Sequence, residues 1–202
     1  FEKSPVSGIM LAIVFGMVVG NAVRLPALVK PGIRFSLERV LRLGIILLGI
    51  RLGLGEALKV GLVGVPLIVL CIVAAMLVTY WLGRRLALSG RMGVLIAVGT
   101  SICGATAIVA TAPAIGADED ETVYAVANIT VFGLLAMFAY PYLAEFLFAG
   151  DLTSTGRFLG TSIHETAQVA GSGLIYVQMF GGDTALDVAA VTKLVRNLFM
   201  IV

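Results

Sequence analysis

The chain has 202 residues, of which 59% are hydrophobic and 13% are charged, and its formal net charge is +2. A water-soluble fold of this size could not bury so much apolar surface, because its exterior must be mostly hydrated. Composition therefore excludes a soluble domain, and the small net charge argues against a nucleic-acid partner. The apolar residues come in runs of about 18 to 25, long enough to cross roughly 30 Å of hydrocarbon as helices. We predict an all-α, polytopic transmembrane bundle in contact with a lipid bilayer.

Seven apolar segments, A to G, follow one another and form one transmembrane domain over residues 1–202. Their predicted bounds are 6–23 (A), 37–54 (B), 60–82 (C), 92–115 (D), 122–146 (E), 157–177 (F) and 185 to the end (G). Pro141 lacks a backbone donor and predicts a kink or an end in segment E. Because the chain starts at Phe1 and stops within an apolar run, we expect an excerpt of a longer protein.

Segment B carries Arg42 and Arg51, nine residues apart. That spacing is about half a turn out of phase on an ideal helix, so the two side chains cannot share a face. Arg42 is predicted near the membrane interface. Arg51 lies at the other end of the segment and is a candidate for a substrate-binding or gating role.

The basic residues in short loops predict the orientation. The A–B and C–D connections are basic, and the D–E loop is the acidic run Asp118–Glu121. If every segment crosses once, the two basic connections are cytoplasmic, and the D–E loop is external. The basic residues are Arg24, Lys30, Arg34 and Arg39 in the first connection and its flank, and Arg84, Arg85 and Arg91 in the second connection.

Segments D and F are poor membrane helices, since both are dense in glycine and hydroxyl side chains. The tetrapeptide Gly-Thr-Ser-Ile occurs in both, at Gly99–Ile102 and at Gly160–Ile163. Unwound backbone at membrane depth is tolerated only where protein or a water-filled cavity covers it. We predict that both segments are broken helices. On the orientation above, the two tetrapeptides enter the membrane from the same side.

Segment F holds the only histidine, His164, next to Glu165. On an unbroken helix Thr161, Glu165 and Gln168 would share one face, with His164 on its flank. Ionisable residues within a membrane segment mark a functional site by default. The alternative interpretation is a buried hydrogen-bond network between helices.

Segment G carries Lys193 and Arg196 on one helical face. We predict either a salt bridge to Glu165 or a docking point for an anion, and the alternative is snorkelling toward the interface. Asn128 in segment E is interpreted as an interhelical hydrogen-bonding residue. Cys71 and Cys103 have no partner at metal-ligand spacing, so neither a metal site nor a disulfide is predicted.

Three stretches together carry a family resemblance. They are Leu41–Leu52, Ser101–Ala107 and Thr161–Val169, read as LRLGIILLGIRL, SICGATA and TSIHETAQV. In this order they resemble the bacterial YeiH family, also called UPF0324 and labelled a family of sulfate exporters. The resemblance implies a multi-pass inner-membrane protein of the cation/proton antiporter and anion transporter superfamily. It also implies an inverted-repeat fold with discontinuous helices, of which this chain would hold an incomplete part.

The resemblance also implies a transport site. Half-helix N-termini in such carriers face anionic substrates near the midplane. The unwound part of segment D, with Ser101, Cys103, Gly104 and Thr106, would offer backbone N–H groups to an oxyanion. Arg51, Lys193 or Arg196 would supply positive charge, and His164 and Glu165 would carry a coupling proton.

The expected function is export of a small anion such as sulfate, coupled to protons or sodium. No catalytic residue and no cofactor beyond a coupling ion is predicted, because the common enzyme motifs are absent from the sequence. One alternative is a cation/proton antiporter that uses Glu165. Another is a membrane scaffold subunit without a substrate path. The oligomeric state stays open, a homodimer included.

Overall fold

The computed structural model describes residues 8–22, 26, 28–40, 43, 44, 47 and 54–199. Arg42, Arg51 and most of segment B lie outside the described residues. The regular elements within that part of the chain are helical. They are α1 (Gly8–Ala22), α2 (Lys30–Phe35), a π-helical stretch (Ser36–Val40), α3 (Leu54–Arg85), α4 (Gly90–Ser101), α5 (Ala105–Thr111), α6 (Glu119–Phe148), α7 (Leu152–Ser162), α8 (Thr166–Phe180) and α9 (Asp183–Leu198).

Two of these helices, α3 and α6, are long and apolar enough to cross a membrane, over Val63–Arg85 and Glu119–Phe148. They correspond to segments C and E. The start of α6 is a capping box, in which the Asp118 side chain accepts from the Glu121 N–H and the Glu121 side chain accepts from the Asp118 N–H. This arrangement satisfies donors that a helix start leaves unpaired. The helix does not end at Pro141.

The predicted break in segment D is confirmed, because α4 ends at Ser101 and α5 begins at Ala105. The two halves fold back on each other as an antiparallel hairpin, which we call the first hairpin. Leu95 in α4 belongs to one hydrophobic cluster with Ile108 in α5 and with Ala112, the residue that follows α5. At the open end, Arg91 Nη1 donates to the Gly116 carbonyl over 2.8 Å. Segment D therefore enters and leaves on the same side, and its predicted single crossing is wrong.

Segment F is likewise broken, between Ser162 in α7 and Thr166 in α8. It too folds back, and we call it the second hairpin. Its two ends lie together, since a Cβ placed on Gly182 would fall 2.5 Å from Leu152 Cδ2. Phe158 of α7 and Phe180 of α8 both stack on tyrosines in the last third of α6. The prediction that F is discontinuous is confirmed, whereas its single crossing is wrong.

The two hairpins enter from opposite sides. The first opens beside the start of α6 and the second beside its end, and 30 helical residues span about 45 Å. The predicted parallel entry of the two Gly-Thr-Ser-Ile copies is therefore wrong. Each copy ends the inward half of its hairpin, and Leu152 starts the second hairpin 62 positions after Gly90 starts the first. A long helix followed by a hairpin thus occurs twice, in opposite directions.

Helix α9 runs beside α7 in the same direction. The close approach depends on two glycines one turn apart, Gly156 and Gly160. A Cβ on Gly156 would lie 2.6 Å from Val188 Cβ, and a Cβ on Gly160 would lie 2.7 Å from the Ala189 carbonyl oxygen. Small residues four apart allow helix backbones to approach closely in a membrane. Because of this contact, Lys193 and Arg196 of α9 lie at the same depth as the hairpin tips.

Candidate functional site

The tips of the two hairpins, residues 102–104 and 163–165, touch each other. Gly104 has a φ of 73°, and a Cβ on it would lie 2.8 Å from Glu165 Cγ. Glycine is favoured here because it tolerates positive φ and leaves room for the neighbouring side chain. From the start of α9 to the tips is about 15 Å, roughly half the thickness of the hydrocarbon core. If α9 starts at the surface of the hydrocarbon core, the site lies near the middle of the membrane.

Lys193, on α9, forms hydrogen bonds to both tips. It is completely buried, and its Nζ donates to the Ile102 carbonyl over 3.0 Å, to the Ile163 carbonyl over 3.1 Å and to the His164 carbonyl. An ammonium group has three protons. All three therefore point at backbone oxygens, one from the first hairpin and two from the second.

Arg196 lies one turn further along α9 and makes the same kind of contact. Its Nε donates to the Ser101 carbonyl over 2.7 Å, its Nη2 to the Thr100 carbonyl over 2.6 Å, and its Nη1 to the Thr161 carbonyl. The side chain is 2% exposed. Like Lys193, it binds both hairpins.

The physical reason is the pair of helix ends at this point. The last carbonyls of α4 and α7 lack intrahelical donors, and each helix C-terminus carries about half a negative charge. Within a membrane these carbonyls cannot turn to water. Two buried cations satisfy them, and the carbonyls in turn compensate charges that would otherwise be costly at this depth.

The contacts differ from two details predicted from the sequence. Since Lys193 directs its protons to carbonyl oxygens, the direct salt bridge to Glu165 is not formed. The shared helical face of Thr161, Glu165 and Gln168 is also absent, because the chain unwinds at residues 163–165 and the three residues fall on different halves of the hairpin.

Glu165 instead binds the first hairpin. Its Cγ lies 2.8 Å from the place that a Cβ on Gly104 would take, directly before Ala105, the first residue of α5. A carboxylate is favoured at a helix start, where N–H groups are unpaired. The second hairpin thus places a carboxylate beside the start of a half-helix of the first.

A cavity of about 650 Å³ lies beside the tips, between α3, α4 and α6. Its walls are largely apolar, but His164, Thr100 and Asn128 line it together, with Thr79 and Tyr140 further along. The Nδ1 atom of His164 is buried and has no hydrogen-bond partner among the described residues. A buried polar atom without a partner costs free energy unless a ligand or water satisfies it. His164 therefore combines a position in the cavity wall with a buried ring nitrogen whose hydrogen-bonding capacity is unsatisfied.

The other predicted residues are spread around the tips. Ser101 is fully buried, and its hydroxyl donates to the Ala97 carbonyl over 2.5 Å. Cys103 is buried within the first tip, and Thr106 is exposed on α5. Gln168 is buried, and its Nε2 donates to the Thr130 carbonyl over 3.3 Å.

The sequence pattern does not identify Asn128 or the carbonyl oxygens of the tips as parts of the site. It predicts an interhelical hydrogen-bonding residue at Asn128, whereas the structure places Asn128 in the cavity wall with His164. The duplicated Gly-Thr-Ser-Ile, each copy preceded by a long apolar stretch, was a usable signal for two related hairpins. No sequence pattern marks a carbonyl as a ligand, because every residue carries one.

Comparisons with known proteins give a consistent result. A family model described as "Conserved hypothetical protein 698" matches residues 2–202. The UPF0324 membrane protein of Yersinia pestis is 35% identical over 208 residues, covering 99% of this chain and 56% of the relative. That of Ralstonia nicotianae is 36% identical, covering 95% and 53%, and that of Pseudomonas aeruginosa is 36% identical, covering 98% and 57%.

The chain spans a little over half the length of these curated relatives. No solved structure is significantly similar to it. The family model nevertheless covers almost all of the chain, and the described part has two helices that are long and apolar enough to cross a membrane. The chain therefore belongs to the Conserved hypothetical protein 698 family, the bacterial UPF0324 membrane proteins, and is a multi-pass protein of the cell membrane.

Proposed function

We propose that the protein is a secondary transporter that exports a small anion, and that this chain supplies its binding site. The observation that carries the proposal is the meeting of two oppositely directed hairpin tips beside a cavity near mid-membrane. Discontinuous helices of this kind place substrate sites in many secondary transporters. A site between two oppositely oriented units can be opened to either side of the membrane in turn.

The balance of charge favours an anion. Lys193 and Arg196 are buried against the tips, where Glu165 is the neighbouring acid. The C-terminal ends of α4 and α7 offset about one positive charge, and Glu165 offsets another when it is ionised. The starts of α5 and α8 then leave the site with partial positive charge. A small anion entering the cavity would be attracted to it.

Each polar residue has a separate part in this proposal. His164, Thr100 and Asn128 would contact the substrate from the cavity wall. Lys193 and Arg196 would attract it without touching it, because their contacts are to carbonyl oxygens. Glu165 would exchange a coupling proton, since its carboxylate contacts the first hairpin and its protonation would loosen the tips.

Two other functions remain as alternatives. The Glu165 carboxylate at the tips is the observation that favours a cation/proton antiporter. A scaffold subunit without a substrate path is less well supported, because His164 adjoins a cavity instead of packed helices. The proposal includes neither an enzymatic reaction nor a cofactor beyond a coupling ion.

The test is transport by the full-length protein reconstituted in liposomes. Vesicles are loaded with radiolabelled sulfate, and efflux is followed with an imposed proton or sodium gradient, beside vesicles without protein. Unlabelled organic and inorganic anions outside the vesicles reveal other substrates by counterflow. We expect efflux or counterflow with at least one anion. Proton exchange against sodium or potassium without any anion flux would instead establish the antiporter.

A further inference from the structure

The surroundings of the Lys193 ammonium resemble those of a bound metal cation more than those of an ion pair. Its three ligands are the carbonyl oxygens of Ile102, Ile163 and His164. They come from both hairpins, and each belongs to a residue at or beside a half-helix C-terminus. Backbone carbonyls converging on one point are a usual oxygen cage for a monovalent or divalent cation.

The cage exists because the chain unwinds twice. An intact helix would have used these carbonyls for its own hydrogen bonds. Bringing two half-helix C-termini together concentrates about one elementary negative charge in a region without water. Such a cluster requires a cation. In this chain the cation is covalently attached, on a helix held against α7 by Gly156 and Gly160.

We propose that Lys193 is a built-in monovalent cation that fills a carbonyl site formed by both tips, so that tip closure requires no sodium ion. The existence of this carbonyl site does not depend on whether the protein is a transporter. The expectation that anion binding does not depend on sodium, in contrast, rests on the proposed function. Removing the side chain beyond Cβ should leave a vacant site that accepts a small ammonium ion or an alkali cation.

The first measurement uses the unmodified full-length protein without any added anion substrate. Its melting temperature is compared in sodium, potassium and choline chloride at equal ionic strength. We expect values that agree within about 1 °C, because the site is already filled. A stabilisation of several degrees that is specific to sodium, and that saturates with concentration, would overturn the proposal.

The second measurement uses Lys193→Ala in the full-length protein. The atoms removed correspond to n-propylammonium, which is therefore the matched probe, and n-propanol is its uncharged counterpart. We expect the variant to melt about 5 °C or more below the parent, since carbonyls are left unpaired in an apolar region. Propylammonium, sodium or potassium should recover at least half of that loss, and n-propanol should not.

The control is Lys30→Ala, which removes a lysine that is exposed on α2. Its melting temperature should not respond to propylammonium. Recovery of Lys193→Ala by n-propanol as well as by propylammonium would mean that Lys193 only fills volume, which contradicts the proposal. If Lys193→Ala cannot be purified even in propylammonium, the comparison of cations on the parent protein still decides. Failure to find anion transport would leave these melting measurements valid, so the two proposals fail separately.

Discussion

The hydroxyl of Ser89 donates a 2.5 Å hydrogen bond to Oε1 of Glu121, across 32 positions of sequence. Arg91 adds an ion pair to the same carboxylate, with Nε 3.2 Å from Oε2. These contacts join the loop before the first hairpin to the loop after it. Both loops must therefore lie on one side of the membrane, and the basic residues before the hairpin predict that this side is cytoplasmic.

Cysteine labelling in intact cells tests this topology. In a background lacking Cys71 and Cys103, we expect Leu86→Cys and Asp120→Cys to be protected from an impermeant thiol reagent. Thr184→Cys, at the start of α9 beside the open end of the second hairpin, should react from outside. Permeabilised cells control for accessibility, since all three positions are exposed. If Asp120→Cys were labelled in intact cells but Leu86→Cys were not, the two positions would lie on opposite sides and segment D would cross the membrane.

The α7–α9 contact predicts a strong effect at Gly160. Its substitution by alanine places a methyl group 2.7 Å from the Ala189 carbonyl oxygen, which is backbone and cannot move aside easily. We expect Gly160→Ala to destabilise the protein by about 1–3 kcal/mol, as overpacking does. Gly90→Ala is the matched control, because no atom lies within 4 Å of its added Cβ. Thermal melting of both variants by fluorescence-detected chromatography measures the difference, and equal melting temperatures would contradict this packing.

The contact between the tips predicts a difference between two glycines with positive φ. Gly104→Ala would suffer both backbone strain and a clash with Glu165, whereas Gly116→Ala, with a φ of 63°, has nothing within 4 Å. We expect both variants to lose stability and Gly104→Ala to lose more. The double variant Gly104→Ala/Glu165→Ala should recover part of the loss. No recovery in thermal melting would show that the Glu165 side chain does not limit the space at Gly104.

The cavity wall predicts which residues set the affinity for the transported anion. His164→Ala and Asn128→Ala should each weaken binding by about fivefold, since a net hydrogen bond is worth roughly 1 kcal/mol and about 1.4 kcal/mol is tenfold. Thr122→Ala is the control on α6, because that hydroxyl donates to the Asp118 carbonyl and does not line the cavity. Titration calorimetry with the anion identified by counterflow measures all three. Unchanged affinity in both cavity variants would place the binding site elsewhere.

The carboxylate at the tips predicts the behaviour of Glu165→Gln. Glutamine cannot exchange a proton, so transport should be abolished or lose its dependence on the proton gradient, while insertion into the membrane is retained. Glu145→Gln is the matched control, since Glu145 accepts a 2.6 Å hydrogen bond from Tyr176 near the other end of α6. Efflux at parental rate and pH dependence in Glu165→Gln would remove Glu165 from the coupling step.

Composition and local residue pattern are enough to assign the class of protein and to locate the breaks in its helices. Hydropathy located α3 and α6 because a membrane requires long apolar helices, whatever their neighbours are. The glycine and hydroxyl residues around Ser101 and Ser162 located the breaks, because weak helix formers act locally. The same local chemistry singled out His164, Glu165, Lys193 and Arg196 as unusual at this depth.

The path of the chain after each break depends on contacts between distant parts of the molecule. A broken helix can continue across the membrane or fold back, and local sequence does not distinguish the two. The choice depends on long-range contacts such as Ser89 with Glu121, and on the packing of Leu95 against Ala112. The partner of Lys193 was undetermined for the same reason: three carbonyl oxygens attract it as a carboxylate would, but they exist as a group only after both hairpins have folded.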